Sequence, residues 1–571
     1  MTSGCLIVDR PWKRPHLNNG TNGPAVDQAG KRMDDNSNPW QRIADLSVLA
    51  EAGKAAVRVG GRQLALFRVE DRIFACDNRC PHEGYPLVEG HVAEGKGAKG
   101  EVTCLLTCNW HNWKFDLTDG TAVLGGDDLT VYPVEVREGA IFADLTGPSP
   151  ADRAEAALRG IQASVDRHEY GRMARELARL DAAGGDMLEA LRRIIKMTAS
   201  RFEYGTTHAV PAAADWLALA DDLADSPATK LTAVLEAVGY FAWDARREPI
   251  VPFPQKAVPF SEARFLAAQE SEDEETACAM ARGAAQAGLS YATLMPVLAR
   301  AALSHYQDFG HSLIYVYKTG QLIEALGREQ IEEPLLLMMV RSLALATRED
   351  LIPQFRAYGE VLAGADATAA DVPSPDDLVA GGLRQILQNI AGGLGQPLET
   401  YDAVMSAASW QMLRFDTKFQ EHTDLPLSKN VGWLSFTHAL TFGNAVRTVC
   451  SHYPELWPQG LLQIGCFLGR NAGFVNADAD ARPWLVDNID DFLAEQRRSL
   501  FDHGQFEYVV AAHLLKLLQA MQEERTARPN AVWLSAGAAA VNRFLKTPLK
   551  RKHALRTARQ AITFVSGETD G

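Results

Sequence analysis

Two short segments limit what the first part of this chain can become: Cys80-Pro-His82 and Cys108-Asn-Trp-His111. Each joins one thiol to one imidazole, in the order Cys-x-His and then Cys-x-x-His. That set suits a [2Fe–2S] cluster in which two thiolates hold one iron and two imidazoles the other, with a higher reduction potential than an all-Cys cluster. The competing use of two Cys and two His is a zinc site. Zinc fingers pair ligands of one kind, as Cys-x-x-Cys and His-x3-His, and the alternation within both segments argues against them. The flanks read Cys80-Pro-His-Glu-Gly-Tyr-Pro-Leu87 and Cys108-Asn-Trp-His-Asn-Trp-Lys-Phe-Asp116, with Asp119-Gly120 as a following turn. Their Gly and Pro let backbone N–H groups approach sulfur closely. Trp110, Trp113 and Phe115 are expected to keep water off the cluster.

These segments resemble the Rieske [2Fe–2S] domain of ring-hydroxylating oxygenases and their ferredoxins. The resemblance implies a small antiparallel β domain with Cys80, His82, Cys108 and His111 as the cluster ligands. The extra loop cysteines of respiratory Rieske proteins are missing. Residues 1–39, rich in Asn, Gly, Asp and Pro, are expected to be a disordered tail. The domain itself is expected over 40–147. Within it Ala55–Val59, Gln63–Val69, Arg72–Ala75, Thr121–Leu124, Val131–Val136 and Ala140–Asp144 read as strands, with Gly60-Gly61 and Glu70-Asp71 as turns. Glu94-Gly-Lys-Gly-Ala-Lys-Gly100 reads as an inserted flexible loop.

From Pro150 the pattern changes to Ala, Leu, Glu and Arg with apolar residues at helical spacing. A large all-α domain is expected over 148–545, big enough to enclose a ligand pocket. Ala151–Leu180 reads as one helix. Further runs include Met187–Ala199, Ala212–Leu223, Lys230–Ala242, Gly310–Leu326, Leu378–Ile390, Gly432–Val449 and Phe506–Gln522. No fixed repeat is visible. Residues 546–571 read as a basic solvated tail. The fold class is therefore multidomain α and β.

Charge and cysteine usage narrow the function. Lys and Arg number 57 against 72 Asp and Glu, a net charge of −15, which speaks against nucleic acid as a partner. No apolar run is long enough to cross a bilayer, and the N-terminus is no secretory signal. Six of the eight Cys lie outside the two motifs with no disulfide spacing, so a reducing cytoplasm is expected. No Gly-rich phosphate motif follows a strand, so neither nicotinamide nor flavin is expected. Electrons must then come from an external reductase or ferredoxin.

A cluster of this type only passes single electrons, so chemistry needs a second centre. The usual Asp/Glu-x2-His-x4-His ligand stretch of Rieske oxygenases is absent. Four His lie instead inside apolar runs of the helical half: His208, His311, His438 and His513. Taken singly each reads as a core residue. Together they form a candidate set for a mononuclear non-haem iron, since neutral imidazole is the commonest metal ligand and facing helices can converge on one ion. Lys516 shares a helix face with His513. As a buried cation it is costly, which leaves it neutral, paired, or carbamylated into an anionic ligand. His305 is a substitute candidate, and Glu203 and Asp308 are candidate partners orienting an imidazole. His422, His452 and His503 read as surface loop residues.

The four segments together resemble the questin oxidase-like family of helical proteins, over most of residues 150–530. Phe202-Glu-Tyr-Gly-Thr-Thr-His208-Ala-Val-Pro is similar to its Asn-His-Gly-Pro-type stretch and Gly310-His-Ser-Leu-Ile to its His-Pro-Leu-Ile-His stretch. Thr437-His-Ala-Leu-Thr is similar to its His-Ala-Val-Thr stretch, and His513-Leu-Leu-Lys516 to its His-Val-Ile-Lys stretch. Tyr315 departs from the pattern where a second His would stand, and Thr206-Thr207 replace the Asn. The resemblance implies flavin-free, O2-dependent oxidation of aromatic polyketides, with His208, His311, His438, His513 and Lys516 as catalytic and metal residues. The expected protein is an oxygenase in which a Rieske domain feeds electrons to a non-haem iron that hydroxylates, or cleaves a C–C bond of, an aromatic or polyketide-like small molecule. The first rival is a non-enzymatic electron carrier or redox sensor with a helical docking module. The second is an oxidase whose Rieske domain is only structural.

Overall fold

The computed structural model describes residues 39–246, 248–421 and 431–547. The two expected tails fall almost wholly outside the described residues, as does His422. The chain divides into two compact units, Met1–Gly147 and Pro148–Gly571. The first is an antiparallel β domain and the second is helical. Among the described residues, no helix is long and apolar enough to cross a membrane.

The strands of the first unit are β1 (Trp40–Asp45), β2 (Lys54–Val59), β3 (Arg62–Val69), β4 (Arg72–Asp77), β5 (His91–Lys96), β6 (Val102–Thr107), β7 (Lys114–Asp116), β8 (Ala122–Leu124), β9 (Val131–Tyr132), β10 (Val134–Arg137) and β11 (Ala140–Asp144). They form three antiparallel sheets, in the orders β1-β11-β10, β2-β3-β4-β9 and β5-β6-β7-β8. The period of two along a strand divides the interior. From β3, Ala65 and Phe67 enter one core with Cys80, Leu106, Cys108 and Phe115. Leu64 and Leu66 enter the other with Ile43, Tyr132 and Ile141. Two expectations fail here. The run Val131–Val136 is interrupted at Pro133, which has no N–H to give a ladder. The expected inserted loop at Glu94–Gly100 is the end of β5 and a tight turn into β6. Its Gly97 N–H donates to the Glu101 carbonyl at 2.8 Å.

The helical unit contains nineteen α-helices among the described residues. The expected single helix over 151–180 is two, Pro150–Ser164 and Tyr170–Ala182. The chain reverses at His168, which takes φ 50° and whose imidazole is tied inward to the Gly239 carbonyl and the Tyr508 hydroxyl, each at 3.1 Å. Leu378–Ile390 is also two short helices, Asp376–Val379 and Leu383–Ala391, broken at Gly381-Gly382. Glu262–Glu270, Ala357–Ala363, Ile489–Ser499 and Leu534–Leu545 are helices that the apolar pattern did not mark.

Four helices matter most: Ala209–Leu223, His311–Leu326, Trp433–His452 and Tyr508–Ala527. Each packs against the next and the last against the first, a closed ring. They are buried nearly all round, as helices without a polar face must be. In the last, every residue from Ala511 to Met521 is buried. The chain enters this ring through Gly205, just before His208. Gly205 has φ +81°, and a Cβ there would stand 2.3 Å from the Met338 carbonyl oxygen and 2.4 Å from the Ser342 nitrogen. Gly205→Ala therefore meets both left-handed strain and a backbone clash, each worth about 1–3 kcal/mol. We expect this variant to lower the stability of the helical unit by about 2–4 kcal/mol, read from helical circular dichroism in a denaturant titration.

Candidate metal centres

The first centre sits on two turns of the same design. One joins β4 to β5 and the other joins β6 to β7. In each, the N–H of the Cys donates to the carbonyl five residues on: Cys80 to Tyr85 at 2.9 Å and Cys108 to Trp113 at 2.8 Å. In each, the carbonyl of the Cys accepts from the residue four on: Gly84 at 2.8 Å and Asn112 at 3.1 Å. Those two residues take φ 79° and 60°, the left-handed region that Gly enters freely and Asn tolerates. The matched turns bury the two thiols and leave His82 half-buried and His111 exposed.

Their geometry fits the mixed ligand set. The Nδ1 atoms of His82 and His111 face each other at 3.1 Å. Burial raises the Cys80 thiol to about 11, while the backbone N–H groups of His82 and Glu83 bonding its sulfur work the other way and the Cys108 sulfur beside it raises it further. Those amides are the N–H donors to sulfur that the loop composition implied. The aromatic cover is only partly as expected. Phe115 is buried and Trp113 stacks on His82 with ring centroids 4.5 Å apart. Trp110 is 60% exposed, so it shields little. The carboxylate of Glu83 lies 3.9 Å from Nε2 of both His82 and His111.

The second centre lies inside the four-helix ring. His208, His311, His438 and His513 each offer a ring nitrogen within 4.8 Å of the others. His438 and His513 lie within helices and clip Nδ1–H to a carbonyl of their own helix, Leu434 at 2.5 Å and Val509 at 2.6 Å. His311 starts its helix and clips Nδ1–H to the Asp308 carbonyl at 2.5 Å. These bonds fix the tautomer and leave each Nε2 unprotonated, with its lone pair available. His208, just before its helix, holds Nδ1 3.2 Å from the Tyr315 hydroxyl.

The Nε2 atoms converge. His311 Nε2 is 2.8 Å from that of His438 and 3.1 Å from that of His208. The buried His513 Nε2 has no hydrogen-bond partner. Burial, first of all causes, holds His208, His438 and His513 well below the ordinary imidazole range and His311 down at about 3. Among His311, His438 and His513, neutral rings with Nδ1 protonated have no proton to place between their Nε2 atoms, whereas His208 can carry its proton on Nε2 when the Tyr315 hydroxyl donates to its Nδ1. Lone pairs set face to face repel unless a cation lies among them. The donor set therefore fits a transition-metal ion.

Lys516 reaches the same place. It is buried, with Nζ 3.4 Å from His438 Nε2. Burial pushes its ammonium down to about 7, against the pull of the Asp215 charge. Its charge is not cancelled by a close carboxylate from Asp215, which pairs with Lys318 at 2.7 Å instead. Lys318 also reaches Glu523 at 2.8 Å. Asp215, Lys318 and Glu523 stand seven residues after His208, His311 and Lys516, on the same helices. That spacing was readable in the sequence, but nothing there marked the three as partners.

Other candidates go elsewhere. His305 is held by Asp350 at 2.9 Å and Glu270 at 3.0 Å and is not among the converging imidazoles. Glu203 is exposed and orients none of them. Asp308 does orient one, but through its main-chain carbonyl rather than its carboxylate. His452 ends a helix rather than lying in a loop, and His503 is largely buried against Glu236 at 3.2 Å. Tyr315, first noticed as a departure from a family pattern, stands beside His208. A cavity of about 540 Å³ lies elsewhere in the helical unit, lined among others by Lys196, Phe253, Arg282, Arg328 and Leu337. None of the four imidazoles lines it.

The Rieske [2Fe-2S] domain family matches residues 39–132. The ferredoxin component of the naphthalene 1,2-dioxygenase system of Pseudomonas putida is 31% identical over 109 residues, covering 19% of this chain and 96% of the ferredoxin. The ferredoxin component of the naphthalene 1,2-dioxygenase/salicylate 5-hydroxylase systems of Ralstonia sp is 32% identical over 108 residues, 19% of this chain and 95% of that protein. Among solved structures, the NdmA QL mutant of Pseudomonas putida CBB5 with theobromine is 23% identical, covering 19% of this chain and 33% of that one, with a TM-score of 0.16. This chain thus spans about a third of that solved protein's length.

An unpaired buried nitrogen is destabilising when nothing occupies the space it faces. In metal-free protein, His513→Leu removes that nitrogen and fills the space with carbon. Its stability should rise by about 1 kcal/mol, measured by denaturant unfolding in the presence of a chelator. A loss of that size would mean that His513 is satisfied as an ordinary core residue.

Proposed function

Because the chain belongs to the Rieske [2Fe–2S] family through residues 39–132, we propose that it is an oxidoreductase that takes in single electrons at that domain and uses them at an iron held in the helical unit. The reaction would be O2-dependent hydroxylation or C–C cleavage of an aromatic or polyketide-like small molecule. Cys80, His82, Cys108 and His111 would hold the cluster. His208, His311, His438 and His513 would hold the iron, with Lys516 beside it. A mixed-ligand cluster supplies one-electron transfer, and a non-haem iron supplies O2 binding and activation.

The observation that carries this reading is the convergence of four buried imidazoles, with the unprotonated Nε2 atoms of His311 and His438 2.8 Å apart. A carrier with a docking module has no use for it. This chain's own residues do the rest. The three carbonyl clips and Tyr315 hold each ring in one orientation. The surrounding helices exclude water, which keeps the imidazoles unprotonated and free to bind. As a neutral amine Lys516 would add no positive charge beside the metal, and as a carbamate it would supply the anionic ligand four imidazoles lack. The exposed edge of His111 would be where an external reductase or ferredoxin delivers electrons.

Metal and sulfide counts test this directly. The purified chain should hold about three irons and two sulfides, and when reduced should give the low-average-g resonance of a mixed Cys/His cluster. Cys108→Ser should lose two irons and both sulfides and keep the third. His311→Ala should lose only the third. Lys516→Ala should stop O2 consumption while an external donor still reduces the cluster. One zinc and no sulfide in the wild type would end the cluster assignment, and an unchanged iron count in His311→Ala would return the four His to the core.

A further inference from the structure

His438 and His513 obtain their Nδ1 acceptor at no conformational cost, because a helix always presents a carbonyl one turn back. His311 cannot. It is the first residue of its α-helix, preceded only by the single 3-10 turn Asp308–Gly310, whose Asp308 carbonyl also accepts the main-chain N–H of His311. The chain supplies the missing carbonyl by an unusual route. Asp308, Phe309 and Gly310 take φ 47°, 49° and 78° in succession. Two of these are side-chain-bearing residues in the left-handed region, one of them aromatic, each costing of order 1–3 kcal/mol. The outcome is that the Asp308 carbonyl points back at Nδ1 of His311.

Strain of this kind persists only where the surroundings over-determine it, and here they do. Asp308 N–H donates to the Thr347 carbonyl at 2.9 Å, and Thr347 N–H donates to Asp308 Oδ1 at 2.8 Å. Gln307 pairs with Arg348 as an antiparallel bridge. Glu349 N–H donates to the Tyr306 carbonyl at 2.9 Å. The Arg470 guanidinium lies over the Phe309 ring, 4.5 Å from its centroid. A Cβ on Gly310 would meet the Phe442 ring at 2.6 Å, on the helix that carries His438. His305, pinned by Asp350 and Glu270, closes the near end of the segment.

We propose that residues 308–310 are a strap whose left-handed backbone serves to aim the Asp308 carbonyl at His311. Asp308 and Phe309 are then positioning residues for the four-imidazole centre, and residues 347–350 are their anchor. The proposal rests on the metal-site reading above, but its structural half stands or falls separately.

Full-length protein labelled with 15N-histidine, free of metal, gives the first readout: the hydrogen-bonded Nδ1–H signal of His311, identified by its loss in His311→Ala. Ferrous ion affinity gives the second. Asp308→Ala places a poor left-handed residue at the turn and removes the acceptor for Thr347. It should lose the slowly exchanging Nδ1–H signal and bind ferrous ion about 10–100-fold more weakly, the usual effect of losing a group that orients a ligand. Asp308→Asn tolerates the same φ and keeps an oxygen for Thr347, so it should match the wild type in both. If Asp308→Ala does not fold, Phe309→Gly is the second variant. It accepts the φ without strain but frees the strap, and the same two losses are expected. Equal signals and affinities in Asp308→Ala and Asp308→Asn would overturn the strap. A wild type that takes up no iron, with the signal still lost in the Ala and kept in the Asn variant, would uphold the strap and overturn the metal reading.

Discussion

The helical unit depends on one electrostatic conflict: the lone pairs of two neutral imidazoles, Nε2 of His311 and Nε2 of His438, facing one another across 2.8 Å inside a water-excluding ring of helices. Water would relieve the conflict by protonating a ring, but burial opposes that. A cation would relieve it and gain coordination energy besides. Much of the surrounding structure holds the conflict in place. The carbonyl clips at Leu434, Val509 and Asp308 fix three rings. The Tyr315 hydroxyl stands at the fourth. Gly205 lets the chain pass close enough to bring His208 into the ring.

The two centres use backbone in opposite senses. In the β unit, amide N–H groups turn inward on sulfur, which suits thiolates carrying negative charge. The imidazoles there face each other through Nδ1. In the helical unit, carbonyls turn toward Nδ1 and leave Nε2 as the converging atom. A helix offers carbonyls to residues one turn on, so Nδ1 is the nitrogen it can occupy. A tight turn around a Cys offers amides. In the helical unit, the ring nitrogen left free on His311, His438 and His513 follows from the carbonyl the local fold supplies.

Much of this was legible in the sequence. The alternation of Cys and His in two short segments identified the cluster domain, because few other sites need that order. The four His and Lys516 stood out because polar residues inside apolar helical runs need a reason to be there. What the sequence withheld depends on tertiary placement. His168 breaks an otherwise continuous helical pattern because its ring is tied to residues 239 and 508, far away in the chain. His305, a weaker candidate that could have replaced one of the four, is held elsewhere by Asp350 and Glu270. Asp308 was picked for its carboxylate, whereas its carbonyl makes the contact, and no pattern of residue types encodes a left-handed backbone at an Asp-Phe pair. Pro133, by contrast, was a readable strand break.

The central claim is that the four-helix ring holds a metal of its own, separate from the cluster. Anomalous diffraction at the iron edge, from crystals of protein purified without chelators, tests it most directly. The account predicts two features: a close pair of irons among Cys80, His82, Cys108 and His111, and a single peak in contact with Nε2 of His311, His438 and His513. A pair at the cluster with ordinary solvent or no density among the four imidazoles would contradict it.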